Sequence, residues 1–289
     1  MRRPGAEGIL IGRERELELV EGVLGRARRG RSDALVVRGE AGIGKTALLD
    51  HAVERAGGMT VVRALGVESE AELQFSGLLE LLRPLLEHLP QIPAQQAEAL
   101  RGALGLGEAE GHDRFTIGAA TLSLLATAAE ANPLLVVVDD AHWLDCATSE
   151  AILFAVKRLE ADAAALLFAV REGEGRDFDP PGLPRLELGG LEADEAERLL
   201  ARGDDGGVEP EVVRRLWEAT QGNPLALLEM RSFLSAEQLA GREPLPEPLP
   251  AGATLERAFA WRAETLPADA QRALVVASVS LSPELEPVA

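Results

Sequence analysis

Residues 36–50 read VVRGEAGIGKTALLD. Gly39, Glu40, Ala41, Gly42, Ile43, Gly44, Lys45 and Thr46 fit the spacing G-x-x-x-x-G-K-[ST], with an apolar run before them and a helical pattern after. Glycines let the backbone curl until successive N–H groups face one centre, and the N-terminus of the following helix adds positive potential there. The stretch therefore predicts a phosphate-binding loop between a strand and a helix. Lys45 is expected to bridge the terminal phosphates and Thr46 to hold Mg²⁺.

Working outward, 289 residues with 46% hydrophobic and 27% charged side chains fit a globular main domain with one or two smaller pieces. The net charge of −19 argues against a general polyanion-binding surface, so a nucleotide phosphate must be held by a local positive site. Lys45 and Lys157 are the only lysines, which makes a lysine inside a glycine loop less casual. Cys146 alone permits no internal disulfide and suits a reducing compartment. His142 and Cys146 lie close in sequence but lack further ligands for zinc. The absence of a long apolar run excludes a transmembrane span and, with the lone cysteine, predicts a cytoplasmic protein.

Apolar periodicity predicts a helix over Arg13–Arg29, a strand over Ala34–Arg38, a helix over Lys45–Ala56 and a strand over Met59–Leu65. Helices are expected over Leu78–Leu89 and Phe115–Ala131, separated by a Gly-containing loop around Gly102–Gly111. LLVVVDD (134–140) has no alternation, as expected of a parallel strand covered on both faces and central in its sheet. A helix over Thr148–Leu159, a strand over Ala164–Val170 and a short strand over Leu186–Leu188 complete an α/β pattern, a mostly parallel doubly wound sheet. Three helical segments follow from Leu191, EADEAERLLA, EPEVVRRLWEAT and NPLALLEMRSFL, and read as a small lid. REPLPEPLP (242–250) favours extended polyproline geometry and reads as a linker. Helical segments over Thr254–Leu266 and Asp269–Val276 come last. The expected domains are 9–190, 191–240, 241–252 and 253–289.

A phosphate loop needs a metal-orienting acid on a neighbouring strand. Asp139, at the carboxyl end of the apolar run, is expected to hold Mg²⁺, and Asp140 to orient or deprotonate an attacking water. Two Asp after a strand also suit a plain turn or helix cap. Lys45 and Asp139 are 94 residues apart, which leaves room for an extra strand between theirs. Arg171 closes the strand ALLFAVRE, where it would face the terminal phosphate, although a surface ion pair is the plainer reading. Trp143 and His142 suit either the nucleotide site or a partner surface, with half-buried packing the simpler role for Trp143. Asp145 reads as a helix cap.

Taken together, LIGRERELELV (10–20), VVRGEAGIGKTALL, LLVVVDDAHWLD (134–145), LLFAVRE and GNPLALLEM (222–230) resemble the ATPase module of the STAND class of AAA+ proteins, most closely the large ATP-binding LuxR-type transcriptional regulators. The segment GVESEAELQFSGLLELLRPLL (66–86) is similar to that family too. The resemblance spans Leu10 to about Phe233. It implies that Gly12, Arg13 and Glu14 lie against the adenine and that the proline of Gly222-Asn223-Pro224 reaches the base. By residue logic alone, those three residues are a turn with proline at the first helical position. Family members act as switches: ADP holds the lid closed, ATP favours an open form, and hydrolysis is slow. TLERAFAWRAETLPADAQRALVVASV (254–279) resembles the opening of a winged-helix segment cut short.

The leading expectation is a weakly hydrolysing, Mg²⁺-dependent ATP/ADP switch, the sensor portion of a regulator whose helix-turn-helix is not in this sequence. Direct DNA binding by the chain is not expected. Expected partners are ATP or ADP, with either self-association or an inducer, protein or small molecule. An active AAA+ ATPase doing mechanical or loading work, a kinase, and a non-hydrolysing nucleotide scaffold are the alternatives.

Overall fold

A computed structural model describes residues 10–107, 113–173, 178, 180–202, 207–246, 249 and 266–279. They fall into two compact units, Met1–Gly189 and Gly190–Ala289.

In the first unit, α1 (Glu14–Arg28), β1 (Asp33–Gly39), α2 (Lys45–Arg55) and β2 (Thr60–Leu65) are followed by α3 (Ser76–Leu82), α4 (Ala94–Ala103) and α5 (Arg114–Ala131). Then come β3 (Leu134–Asp139), α6 (Cys146–Val156), β4 (Ala164–Arg171) and β5 (Arg185–Glu187). The five strands are all parallel, in the order β2-β3-β4-β1-β5. β3 is internal but second from the edge, so the central place expected for it belongs to β4, which is the extra strand expected between the loop strand and the acidic strand.

Every residue of β3 is buried because side chains alternate between two covered faces. Leu135 and Val137 join Leu35, Val37, Leu167 and Ala169 against α1 and α2. Val136 and Val138 join Val36, Leu166 and Phe168 against the helices on the other face, among them α3, α5 and α6.

Two expectations change. The helix predicted over Leu78–Leu89 is α-helical only to Leu82 and continues as a 3₁₀ stretch, Arg83–Gln91. Pro84 and Pro90 explain the change, since neither can donate a backbone hydrogen bond to an α-helical ladder. Helix α4 occupies sequence that carried no helical expectation and runs through Gly102. Its buried residues are Ala97, Ala99 and Leu100, with Leu104 just past its end, so small residues hid the period. Residues 108–112 of the expected loop lie outside the described residues.

One buried polar cluster fixes the segment after β3. Asp145 caps α6 as expected, accepting from the Thr148 amide at 2.9 Å, and it also accepts from the Thr148 hydroxyl. The same carboxylate accepts from the Phe75 amide at 2.9 Å, and the Thr148 hydroxyl accepts from the Leu78 amide at 3.1 Å. These bonds lock the start of α3 onto α6. Gly77 permits the approach, because a Cβ there would meet Leu144 at 2.7 Å.

In the second unit, α7 (Ala193–Leu200), α8 (Pro210–Thr220), α9 (Pro224–Phe233) and α10 (Ala236–Leu239) enclose a small core of Leu191, Ala196, Leu200, Val212, Leu216, Leu227 and Met230. Leu245, in the proline-rich segment, packs into the same cluster, so that segment is anchored at this point. A last helix, α11, spans Ala268–Val279 and includes the expected Asp269–Val276. The helix expected over Thr254–Leu266 lies outside the described residues except at Leu266, as does most of the winged-helix-like segment. Among the described residues no helix is long and apolar enough to cross a membrane.

Replacing Asp145 with Ala removes a helix cap and leaves the Phe75 amide and the Thr148 hydroxyl without their acceptor. We expect Asp145→Ala to lower the unfolding free energy by about 2–4 kcal/mol and Asp145→Asn, which keeps one acceptor oxygen, by roughly half that. Denaturant unfolding followed by circular dichroism measures both.

Candidate functional site

Parallel strands deliver their carboxyl ends to one edge of the sheet, and β1, β3 and β4 end there in Gly39, Asp139 and Arg171. The register pairs Gly39 directly with Arg171.

The loop leaves β1 through a position only glycine can fill: Gly39 has φ +155°, and a Cβ would lie 2.6 Å from the Leu188 carbonyl oxygen. Gly42 and Gly44 also have positive φ, 75° and 109°, and Gly44 is the N-cap of α2. Between them the buried Ile43 side chain packs into the α1–α2 core and pins the curl. The first amides of α2 have no intrahelical acceptor and supply donors at the loop.

Lys45 is buried, and its ammonium donates to the carbonyls of Gly39 at 2.8 Å and Glu40 at 2.7 Å. Burial, and next the nearby Arg171 charge, hold its pKa below the ordinary 10.5, opposed by Asp140, Asp139 and Glu172. Its positive charge is complete well below the lowered value and is lost as pH rises through it, at less alkaline pH than for a free lysine. Thr46 is half-buried in the first turn of α2.

Asp139 is 4% exposed. Its Oδ1 accepts from the Asp140 amide at 3.0 Å, and its Oδ2 lies 3.5 Å from an Arg63 nitrogen. Asp140 has left-handed backbone, φ 47° and ψ 45°. Its carboxylate, partly exposed, stands 3.4 Å from Arg171 Nε. Gly66 makes this geometry feasible, since a Cβ there would fall 2.0 Å from the Asp140 carbonyl oxygen.

His142 is fully buried, with Nδ1 accepting from the Arg171 amide at 3.3 Å and Nε2 4.0 Å from Asp140 Oδ1. It is scaffolding between the turn after β3 and the end of β4. Trp143 is half-buried beside it, the ring centroids 5.3 Å apart.

Gly12 has φ 67° and leads into Arg13, the N-cap of α1. Arg13 is 6% exposed, and its guanidinium donates to the Ile43 carbonyl at 3.3 Å, the Gly189 carbonyl at 2.6 Å and Glu16 at 3.3 Å. Its side chain thus holds the loop backbone and the end of the first unit. Pro224 belongs to the second unit, at the first turn of α9, where the Asn223 side chain accepts from the Ala226 amide at 3.3 Å. Gly222 allows that turn: its φ is 73°, and a Cβ would meet the Leu191 carbonyl at 2.2 Å.

Sequence reasoning therefore picked out residues that the first unit gathers at one edge: Gly39–Thr46, Asp139, Asp140, Arg171 and Arg13. It missed Arg63, which donates to Asp50 at 2.6 Å and stands beside Asp139. The available signal was an arginine at an alternating position in the otherwise apolar strand TVVRAL. Oxygen donors beside an ammonium and a curl of amides can hold a hard divalent cation with its phosphate ligands.

No curated protein matches the chain in sequence. Among solved structures, it is similar in fold to a Signal Transduction ATPase with Numerous Domains (STAND) protein with a tetratricopeptide repeat sensor from Pyrococcus horikoshii. The TM-score is 0.56 at 18% identity, over 96% of this chain and 35% of that one. It is also similar to Cdc6p from Pyrobaculum aerophilum, with TM-score 0.54 and 18% identity over 83% of this chain and 66% of that one. The chain thus spans about a third of the length of the first and about two thirds of the second. The sequence pattern of the family described as AAA ATPase domain matches residues 9–169, more than half of the chain. The chain belongs to the AAA ATPase domain family, and its α/β fold is that of a P-loop nucleotide-binding module.

Proposed function

We propose that this module is a slowly hydrolysing ATP/ADP switch of the STAND kind, the sensor portion of a LuxR-type transcriptional regulator. The observation that carries the nucleotide reading is the meeting of the glycine loop, Lys45, Asp139, Asp140 and Arg171 at one carboxyl edge of the sheet. The five motifs quoted above, in their order along the chain, support the assignment to regulators of this type. In this reading 9–190 is the ATPase domain, 191–240 the lid, 241–252 a linker and 253–289 the start of a winged-helix-like segment.

The residues fit a magnesium-bound nucleotide. The φ-positive glycines let the loop curl, and the amides of 41–46 would surround the phosphates. Lys45 would exchange its bonds to the Gly39 and Glu40 carbonyls for phosphate oxygens. Thr46 and Asp139 would hold Mg²⁺, which supplies charge neutralisation at the phosphate oxygens when bound.

Asp140 would orient the attacking water and accept its proton. Its left-handed backbone, uncommon outside glycine, aims the carboxylate at Arg171 beside the loop. Arg171 would shift from Asp140 towards the terminal phosphate. Arg13 and Gly12 would form the adenine side, with Pro224 contributing from the lid. The switch itself requires only that ATP and ADP differ in affinity for two lid positions.

Three measurements test this. Purified protein is expected to carry ADP or ATP, and Lys45→Ala to weaken Mg·nucleotide binding by about 100-fold, close to 3 kcal/mol. Absence of sub-millimolar binding to wild type would sink the central reading. Asp140→Asn is expected to slow phosphate release by about 100-fold or more while nucleotide affinity changes little. If it changes only affinity, the scaffold alternative holds. Wild-type turnover should stay below about 1 s⁻¹; a much faster rate supports mechanical or loading work.

A further inference from the structure

Arg63 is a charged side chain on the face of the sheet that otherwise packs against α2. Val61 of β2 and Leu135 and Val137 of β3 lie on that face, and alternation puts Arg63 and Asp139 there too. One arm of the guanidinium, Nη1, donates to Asp50 Oδ1 at 2.6 Å, and the other, Nη2, reaches Asp139 Oδ2 at 3.5 Å. Asp50 lies four residues after Thr46 on α2, one turn along the same helix face. A single planar group therefore spans the helix that carries Thr46 and the strand end that carries Asp139.

The two contacts are unequal. At 2.6 Å the bond to Asp50 is short and charge-assisted, whereas 3.5 Å is too long for a strong hydrogen bond. Arg63 is thus anchored on Asp50 and leans on Asp139, whose Oδ1 is held by the Asp140 amide. The side chain of Asp139 is 5% exposed, against 41% for Arg63 and 37% for Asp50. The pair reaches from the surface to a buried carboxylate.

We propose that Arg63, fixed by Asp50, is a positioning residue for the metal-holding carboxylate. It sets the rotamer of Asp139 relative to Thr46 and so governs the Mg²⁺-dependent part of nucleotide binding. The inference rests on the Mg·nucleotide reading above. Groups that orient metal ligands from behind contribute to affinity without touching the metal.

The test is ADP binding to the full chain by calorimetry, with Mg²⁺ titrated and, separately, in EDTA, for wild type, Arg63→Gln, Arg63→Lys, Asp50→Asn and the Arg63→Gln/Asp50→Asn double variant. Each single variant should raise the Mg²⁺ concentration at half effect by about tenfold, the low end for such orienting groups. The double variant should be no worse than either single one, and affinities in EDTA should stay within about twofold of wild type. Arg63→Lys keeps the charge but not the two-armed reach, and should behave like Arg63→Gln.

Equal losses with and without Mg²⁺ would reveal a merely structural pair and overturn the proposal. So would wild-type behaviour of Arg63→Lys, or a lower Mg²⁺ requirement in Arg63→Gln, since either makes charge alone the operative property. Wild-type binding that ignores Mg²⁺ overturns both this role and the site reading. Normal Mg²⁺ dependence in every variant overturns the role of Arg63 alone.

Discussion

The site depends on the seating of β1 between β4 and β5. Gly39 must leave the sheet within van der Waals reach of the Leu188 carbonyl, where no side chain fits, and opposite Arg171. That steric limit determines where the loop begins. Ile43, buried in the core beneath, determines how far it can travel before α2 starts. The loop is therefore a consequence of packing on both sides and not a free segment with suitable composition.

A second layer of buried polar groups holds the acidic pair opposite. Asp145 and Thr148 fasten α3 to α6, Gly66 lets the chain pass close under Asp140, and His142 connects that turn to Arg171. Each such group is buried with a partner, the condition under which a polar atom can occupy an interior without destabilising it. The cost is brittleness, because losing one partner leaves the other desolvated and unmatched. The acids are thus placed partly by residues that take no part in the proposed chemistry, Asp145 and Thr148 among them.

Where strands are covered on both faces, the primary sequence speaks clearly, and β3 and β4 were readable from LLVVVDD and ALLFAVRE within a residue or two. The loop residues and Asp139 were legible for the same reason: their spacing follows from a strand end meeting a helix start. The α4 helix was not, because Ala and Gln blur its apolar stripe, and the proline-split helix after Leu82 was overextended because apolar residues continue past Pro84. Arg63 escaped notice since its meaning lies in partners 13 residues before and 76 after it. The resemblance pointed to Arg13, but only the fold reveals that its side chain holds two backbone carbonyls.

That guanidinium joins segments 176 residues apart, from the entry of α1 to Gly189, the last residue of the first unit. Bringing two such distant segments together costs loop-closure entropy, and the packing of the rest of the unit offsets it. Arg13 thus acts as a keystone: one side chain ties the loop carbonyl of Ile43 to the far end of the first unit. A chain that stopped short of Gly189 would carry the whole glycine-lysine pattern and yet lack this clamp on it.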